Sequence, residues 1–358
     1  MAGAKSIEFL SVAFALGVMA GTAMPASLAT GCSALLPPLL VLPFLFKNRL
    51  TGKPFAAALP CLLFLLSGLF CACVSALPGA SVTTVLERQA LQAAAGLRTF
   101  IDSLPFPSEG TAPLLKALLT GDRSGLEADT IATFRQSGAS HLLALSGLHM
   151  GIIYLIFDRL TSLAGRSLTA RRFRYGLMLG GALFFTLMCG AGPSLVRAFL
   201  FIAINETLRL AGRPRSGVRV LCLALLAQLV LRPSSLGELG FQLSYLAMAG
   251  IFLLYPFLER WYPQGSRLNP LRRIWQAAAL SISCQVFTGP LVWYRFHTFP
   301  RYFLLTNLLA IPVTSVLMGL ALLTLVLSAA GCCPAFLYQG TDLAGRLLTG
   351  ILEIIASL

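Results

Sequence analysis

Ser146 and His149 stand three residues apart in the stretch HLLALSGLHMGIIYLIF, residues 141–157. On a helix that spacing puts both on one face, within hydrogen-bonding reach. A serine hydroxyl beside an imidazole is part of the machinery of a hydrolase, but no G-x-S-x-G elbow or evident oxyanion donor accompanies it. The same pair also serves as polar glue between helices. A third role is the lining of a substrate path, because ionisable groups at membrane depth are costly and commonly functional. Gly147, between the two, lets a backbone or a substrate come close, and His141 opens the same run.

Three further clusters carry polar chemistry in apolar surroundings. In Gly192-Pro193-Ser194-Leu195-Val196-Arg197, the arginine falls in the first turn of an apolar run and keeps its charge. It either snorkels to the outer interface or faces inward and offers a phosphate-binding fork. Asn205 and Glu206 follow on the same run, the acid suited to pairing with a cation. In Gly237-Glu238-Leu239-Gly240-Phe241-Gln242-Leu243-Ser244-Tyr245, Gln242 and Tyr245 share a helix face, as do Phe241 and Ser244. The fourth cluster runs from Gly289-Pro290 to His297 and on to Asn307 and Pro312. A proline inside a span frees backbone carbonyls that must be satisfied internally, as happens beside a cavity.

Other chemistries lack their residues. The chain has three histidines and no H-x-H-x-D-H, H-E-x-x-H or C-x-x-C pattern, so neither a metal centre nor another cofactor is expected. Its nine cysteines lie mostly in apolar runs, where a thiol behaves as a small hydrophobe. No G-x-x-x-x-G-K-[ST] loop is present, so energy from a P-loop ATPase site within these residues is excluded. No cluster by itself specifies a reaction, and the chain is expected not to be an enzyme.

The elements that hold these residues follow from composition. Of 358 residues, 57% are hydrophobic and 11% charged, with a mean hydropathy of +0.81. A water-facing surface needs about 25% charged residues, which excludes a soluble enzyme and leaves an all-α polytopic membrane protein. Windows of about 20 apolar residues fall near 7–24, 31–46, 55–77, 141–157, 175–190, 194–210, 217–231, 239–257, 274–293, 303–330 and 335–356. That gives a bundle of about ten transmembrane helices. Pro37, Pro38 and Pro43 make the second window irregular, and Pro312 makes 303–330 either one tilted helix or two pieces.

The formal net charge is +14. Most of the excess sits in four loops, around Lys47 to Lys53, Arg159 to Arg174, Arg209 to Arg219 and Arg260 to Arg273. Alternating spans place all four on one side, which the positive-inside rule makes cytoplasmic. The charge is therefore topological and says little about cargo. Segment 78–140 falls outside the cytoplasm. Val82, Val85, Leu86, Leu97, Phe100, Ile101 and Leu104 recur there at helical spacing among polar residues, which predicts an amphipathic helix on the outer membrane face, ended by Pro105 and Pro107. Helices over 114–120 and 127–136 follow, separated by a turn at Gly121-Asp122-Arg123-Ser124. Three parts result: residues 1–77 with three spans, the extracytoplasmic amphipathic segment 78–140, and a transmembrane domain 141–358. The first helix is expected to be retained rather than cleaved near Ala26–Ala29.

LTGDRSGL (119–126), FRQSGASHLLALSGLHMGI (134–152), PSLVRA (193–198), LGELGFQLSYLAMAGI (236–251) and NLLAIPV (307–313) resemble, in order and spacing, the competence domain of the ComEC family of DNA-uptake membrane proteins. The resemblance covers roughly 80–330 and implies a multi-pass inner-membrane channel that imports single-stranded DNA during natural transformation. Carried onto this chain, it implies a DNA path through Arg123, His141, Ser146, His149, Arg197, Gln242 and Asn307, with Arg123 and Arg197 on phosphates. Asp122, Gly147, Pro193, Gly240 and Pro312 are then structural, Asp122 holding the turn or pairing with Arg123. Implied partners are single-stranded DNA, membrane lipid, an extracytoplasmic DNA receptor and a cytoplasmic helicase or single-strand-binding protein, with a homo-oligomer left open. Longer members also carry an OB-like domain and a metallo-β-lactamase-like domain, neither of which is expected here, so nuclease activity is not carried over. Alternatives from the residues alone are transport of another anionic solute, an intramembrane hydrolase, and a structural membrane subunit.

Overall fold

A computed structural model of the chain describes residues 2–25, 53–75, 85–162, 168–262, 269–297 and 299–358, together with Leu28 and Leu36. The regular structure among the described residues is helical: α1 (Ala2–Thr22), α2 (Lys53–Ser75), α3 (Val85–Asp102), α4 (Thr111–Thr120), α5 (Ala128–Gln136), α6 (Ser140–Leu143), α7 (Gly147–Ser162), α8 (Leu168–Met188), α9 (Pro193–Leu210), α10 (Gly217–Leu231), α11 (Leu239–Leu253), α12 (Tyr255–Glu259), α13 (Pro270–Phe296), α14 (Phe303–Ala329) and α15 (Ala335–Ala356). Among the described residues, two stretches combine the length and apolarity needed to cross a membrane, 239–259 and 303–329. At 1.5 Å per residue the second is about 40 Å long, enough to cross with tilt. Shorter apolar helices cover 7–22, 60–75 and 217–231. The window at 31–46, with its prolines, and the cleavage region at 26–29 lie outside the described residues apart from Leu36 and Leu28.

Most expected windows are helical in the structure, with one correction. Window 141–157 is two helices, α6 and α7, separated at residues 144–146. Ala144 has an extended backbone, which ends α6 before Ser146 can start the next helix. Window 303–330 is one helix with Pro312 inside it.

The chain divides into two units. The first comprises residues 1–83 and 200–244. Its centre is α1 against α2, and the pairing depends on glycine. A Cβ on Gly17 would strike the Leu65 carbonyl, and one on Gly68 the Phe14 carbonyl. Close backbone approach through small residues is how apolar helices associate without a hydrophobic driving force. Helix α10 packs on α1. A 3₁₀ turn at Pro233–Gly237 follows α10 and receives Gln242, whose amide donates to the Leu236 carbonyl at 2.9 Å. Glu206, the buried acid of the second cluster, pairs with Arg209 at 3.3 Å.

The second unit comprises residues 84–199 and 245–358. Its core joins Ile101, Leu115, Leu118, Phe134 and Leu142 to Met318, Leu348 and Leu352. Helices α14 and α15 are also held by polar contacts: Thr324 Oγ1 lies 3.0 Å from Thr341 Oγ1, and Ser328 Oγ 2.8 Å from Tyr338 Oη. Asp342 is fully buried on α15. Its carboxylate accepts from Ser108 N–H (3.1 Å), Ser108 Oγ (3.0 Å) and Thr111 Oγ1 (2.6 Å), and pairs with Arg346 at 3.0 Å. It thereby fixes the start of α4. Thr306 similarly donates to the Ser137 carbonyl at 2.6 Å, joining α14 to the end of α5.

Removing the Asp342 carboxylate takes the acceptor from four donors, two of them from Ser108 and one each from Thr111 and Arg346. Charge-assisted hydrogen bonds are worth about 1.5–3 kcal/mol each, less than additively. Asp342→Ala is expected to cost about 3 kcal/mol, seen as a lowered midpoint of thermal unfolding in detergent. Asp342→Asn, which keeps one acceptor oxygen, is expected to lose less.

Candidate functional site

Ser146 lies immediately before the first residue of α7 and makes the contacts of a helix cap. Its Oγ accepts from the Leu148 N–H at 3.2 Å. His149, third in the helix, reaches back so that its Nδ1 accepts from the Ser146 N–H at 3.3 Å, with Ser146 Oγ 3.2 Å away. This is a capping box with imidazole in the place usually taken by Glu or Gln. It explains the three-residue spacing without catalysis. Accepting at Nδ1 places the proton of the neutral ring on Nε2. His149 is 1% exposed, and its Nε2 has no hydrogen-bond partner among the described residues.

Arg197 is drawn to the same place. Helix α9 opens with Pro193 at its first position, where a missing N–H costs nothing. The turn before it runs through two left-handed residues, Gly190 (φ 76°) and Ala191 (φ 48°). Arg197 is 7% exposed, so it faces inward rather than snorkelling. A Cβ on Gly147 would lie 3.2 Å from Arg197 Nη2. Gly147 therefore makes room for a guanidinium at the start of α7, the positively polarised end of that helix. Two sources of positive potential meet there, which favours an anion.

The 121–145 segment builds the adjoining wall. Gly121 ends α4 in the left-handed region (φ 77°), its N–H donating to the Ala117 carbonyl. Asp122 Oδ1 accepts from Ser124 N–H (3.1 Å) and Ser124 Oγ (2.7 Å), which holds the turn. Its ion pair is with Arg98 at 3.4 Å, in place of the expected Arg123. The Ser124 hydroxyl and N–H hold the Asp122 carboxyl below the usual carboxylate range, with smaller help from Arg98 and Lys116. Stability from this group is therefore present above its unfolded pKa and lost as pH falls through the lower folded value. Arg123 donates from Nη2 to the Leu143 carbonyl at 2.9 Å, closing the end of α6. His141 is exposed, its Nδ1 3.1 Å from the Gly138 carbonyl.

The second unit thus contains Arg123, His141, Ser146, His149, Arg197 and Asn307, while Gln242 belongs to the first. Phe241, which shares a helix face with Ser244, is buried. Sequence reasoning passed over Asp342 with its partners Ser108 and Thr111, and also Gln285 and Thr314. An acid in the middle of the apolar window 335–356 was the available signal for Asp342.

The cap has a stability consequence. His149→Gln keeps an acceptor at the third helical position and is expected to leave the unfolding midpoint close to wild type. Ser146→Ala, which loses the cap, is expected to cost about 1 kcal/mol. Thermal unfolding of the purified variants checks both. At the preceding turn, Ala191→Gly relieves the left-handed strain and is expected to stabilise by about 1 kcal/mol.

The comparisons place the chain among known proteins. A family model described as "Competence protein" matches residues 118–358. Relatives include ComE operon protein 3 of Bacillus subtilis, 28% identical over 271 residues, covering 72% of this chain and 32% of the relative. Competence protein ComA of Neisseria gonorrhoeae is 32% identical over 217 residues, covering 59% of this chain and 30% of the relative. The uncharacterized protein YcaI of Escherichia coli is 28% identical over 253 residues, covering 69% and 32%. The chain spans about a third of the length of these relatives. No solved structure matches. The match over 118–358 takes in the α6–α7 break, its serine–histidine cap and Arg197, and the chain belongs to the ComEC family of competence proteins.

Proposed function

We propose that this chain forms a multi-pass channel in the bacterial inner membrane and passes single-stranded DNA inward during natural transformation. The observation that carries this reading is the buried Arg197 guanidinium against Gly147 at the start of α7. A polyanion crossing a hydrocarbon layer needs a wet route with fixed positive potential at intervals. Arg197 and the α7 start supply one such point within a helical body. Arg123 supplies a second, at an exposed position, with one of its five N–H groups spent on Leu143. The guanidinium reaches the start of α7 because Gly147 has no side chain.

The basic loops face the cytoplasm in this reading, and α3 to α5 lie on the outer side. Length and apolarity of 239–259 and 303–329 support membrane insertion, and the remaining windows bring the bundle to about ten spans. The work is transport rather than catalysis, since the Ser146–His149 contact is accounted for by capping. An extracytoplasmic DNA receptor would deliver the strand, and a cytoplasmic helicase or single-strand-binding protein would take it up. DNA is preferred over a small anionic solute because relatives in the family are named for competence.

Deleting the gene in a naturally competent host is expected to abolish transformation by added DNA. Arg197→Gln is expected to lower it at least tenfold at unchanged membrane abundance, with Arg197→Lys in between because a point charge replaces the fork. Normal transformation in the deletion strain overturns the proposal. Reduced abundance of Arg197→Gln, with uptake per molecule preserved, assigns Arg197 to folding instead.

A further inference from the structure

Four buried side-chain atoms in the described residues have no hydrogen-bond partner: His149 Nε2, Gln285 Nε2, Asn307 Oδ1 and Thr314 Oγ1. All four belong to the second unit, and they sit on three helices, α7, α13 and α14. Helix α14 packs against both α7 and α13. Asn307 and Thr314 are seven residues apart on α14 and so share a face, two turns from one another. Between them Pro312 has no N–H to give, so the Leu308 carbonyl lacks its donor four residues on. Thr314 is fully buried and does not use the Ala310 carbonyl, although Thr306, Ser315 and Ser328 on the same helix each bond the carbonyl four residues back.

Orphaned polar atoms cost about 1–3 kcal/mol each, and native proteins leave few of them. Four of them, on α14 and the two helices packed against it, call for a ligand. Its chemistry follows from the mixture of roles. His149 Nε2–H and Gln285 Nε2 donate, Asn307 Oδ1 and the Leu308 carbonyl accept, and the Thr314 hydroxyl does either. A cation is refused by the donors and an anion by the acceptors. No cluster of His, Cys, Asp or Glu suited to a metal occurs among the described residues. A ligand that both donates and accepts satisfies all of them, and water is the smallest.

We propose that the second unit holds ordered internal water where α14 packs against α7 and α13, hydrogen-bonded to His149 Nε2, Gln285 Nε2, Asn307 Oδ1 and Thr314 Oγ1. Such water serves the packed helices as internal hydrogen-bonding material. It is a property of the resting protein and does not depend on the cargo being DNA.

The sign of one substitution discriminates. Thr314→Val removes the hydroxyl at constant shape. In a dry site it relieves an orphan and raises the unfolding midpoint; in a hydrated one it strips a partner from water and lowers it. The expected result for the full chain in detergent or nanodiscs is a fall of about 3 °C, restored by Thr314→Ser. X-ray hydroxyl-radical labelling supplies an independent readout, because radicals form at bound water. Met150 follows His149 and Met318 lies one turn beyond Thr314, and both are fully buried. Both are expected to oxidise in the wild-type protein, with Met318 labelling reduced severalfold in Thr314→Val. A raised or unchanged midpoint for Thr314→Val, or no labelling of Met318 in wild type, overturns the proposal. If Thr314→Val does not fold, the wild-type labelling alone decides. Neither outcome bears on DNA uptake, so failure here and failure of the channel reading are distinguishable.

Discussion

A charged group buried among helices has to be met by other polar groups, and in the second unit the carboxylate of Asp342 imposes that condition most strongly. It is fully buried yet ionisable, and it is held by Ser108, Thr111 and Arg346. Those partners lie at the start of α4 and on α15 itself, so satisfying the charge fixes the path of the chain into α4. From there the order is sequential. Helix α4 ends at Gly121, the Asp122 turn follows, and Arg123 closes α6 on the Leu143 carbonyl. The break between α6 and α7 is thus positioned from both sides.

That break is where the fold meets the proposed function. An uninterrupted helix over 141–157 would bury its backbone N–H groups in its own hydrogen bonds and present no polarised end at that point. Ending α6 at Leu143 and restarting at Gly147 exposes a helix start inside an apolar body. The Ser146–His149 cap satisfies part of it, and glycine keeps it approachable. Arg197 then reaches it because the left-handed turn at Gly190 and Ala191 starts α9 just beforehand.

Much of the fold was legible from periodicity and apolarity, because both reflect burial along a single helix. Helices α9, α10 and α15 match their windows closely, and the amphipathic pattern marked α3. The break at 144–146 was not legible, since Ala-Leu-Ser carries no proline or glycine to announce it and only the side-chain cap reveals it. The pairing of Ser146 with His149 could be read from spacing, but its meaning as a cap required the Ser146 N–H direction. Asp122 was readable as a turn residue, while its ion partner Arg98 is distant in sequence and invisible to local pattern. Gln285 and Thr314 looked like ordinary span residues. Their interest lies in what they fail to bond, which only three-dimensional packing discloses.

The central claim, that the α6–α7 break lines the DNA route, is tested most directly by site-specific photocrosslinking in competent cells. A photoreactive residue at Ala144, exposed at the break, is compared with one at Val316, exposed on the apolar face of α14. The account predicts that labelled single-stranded DNA crosslinks at 144 during uptake and that 316 captures lipid alone. DNA uptake proceeding normally with no crosslink at 144, or with equal crosslinking at both positions, would contradict it.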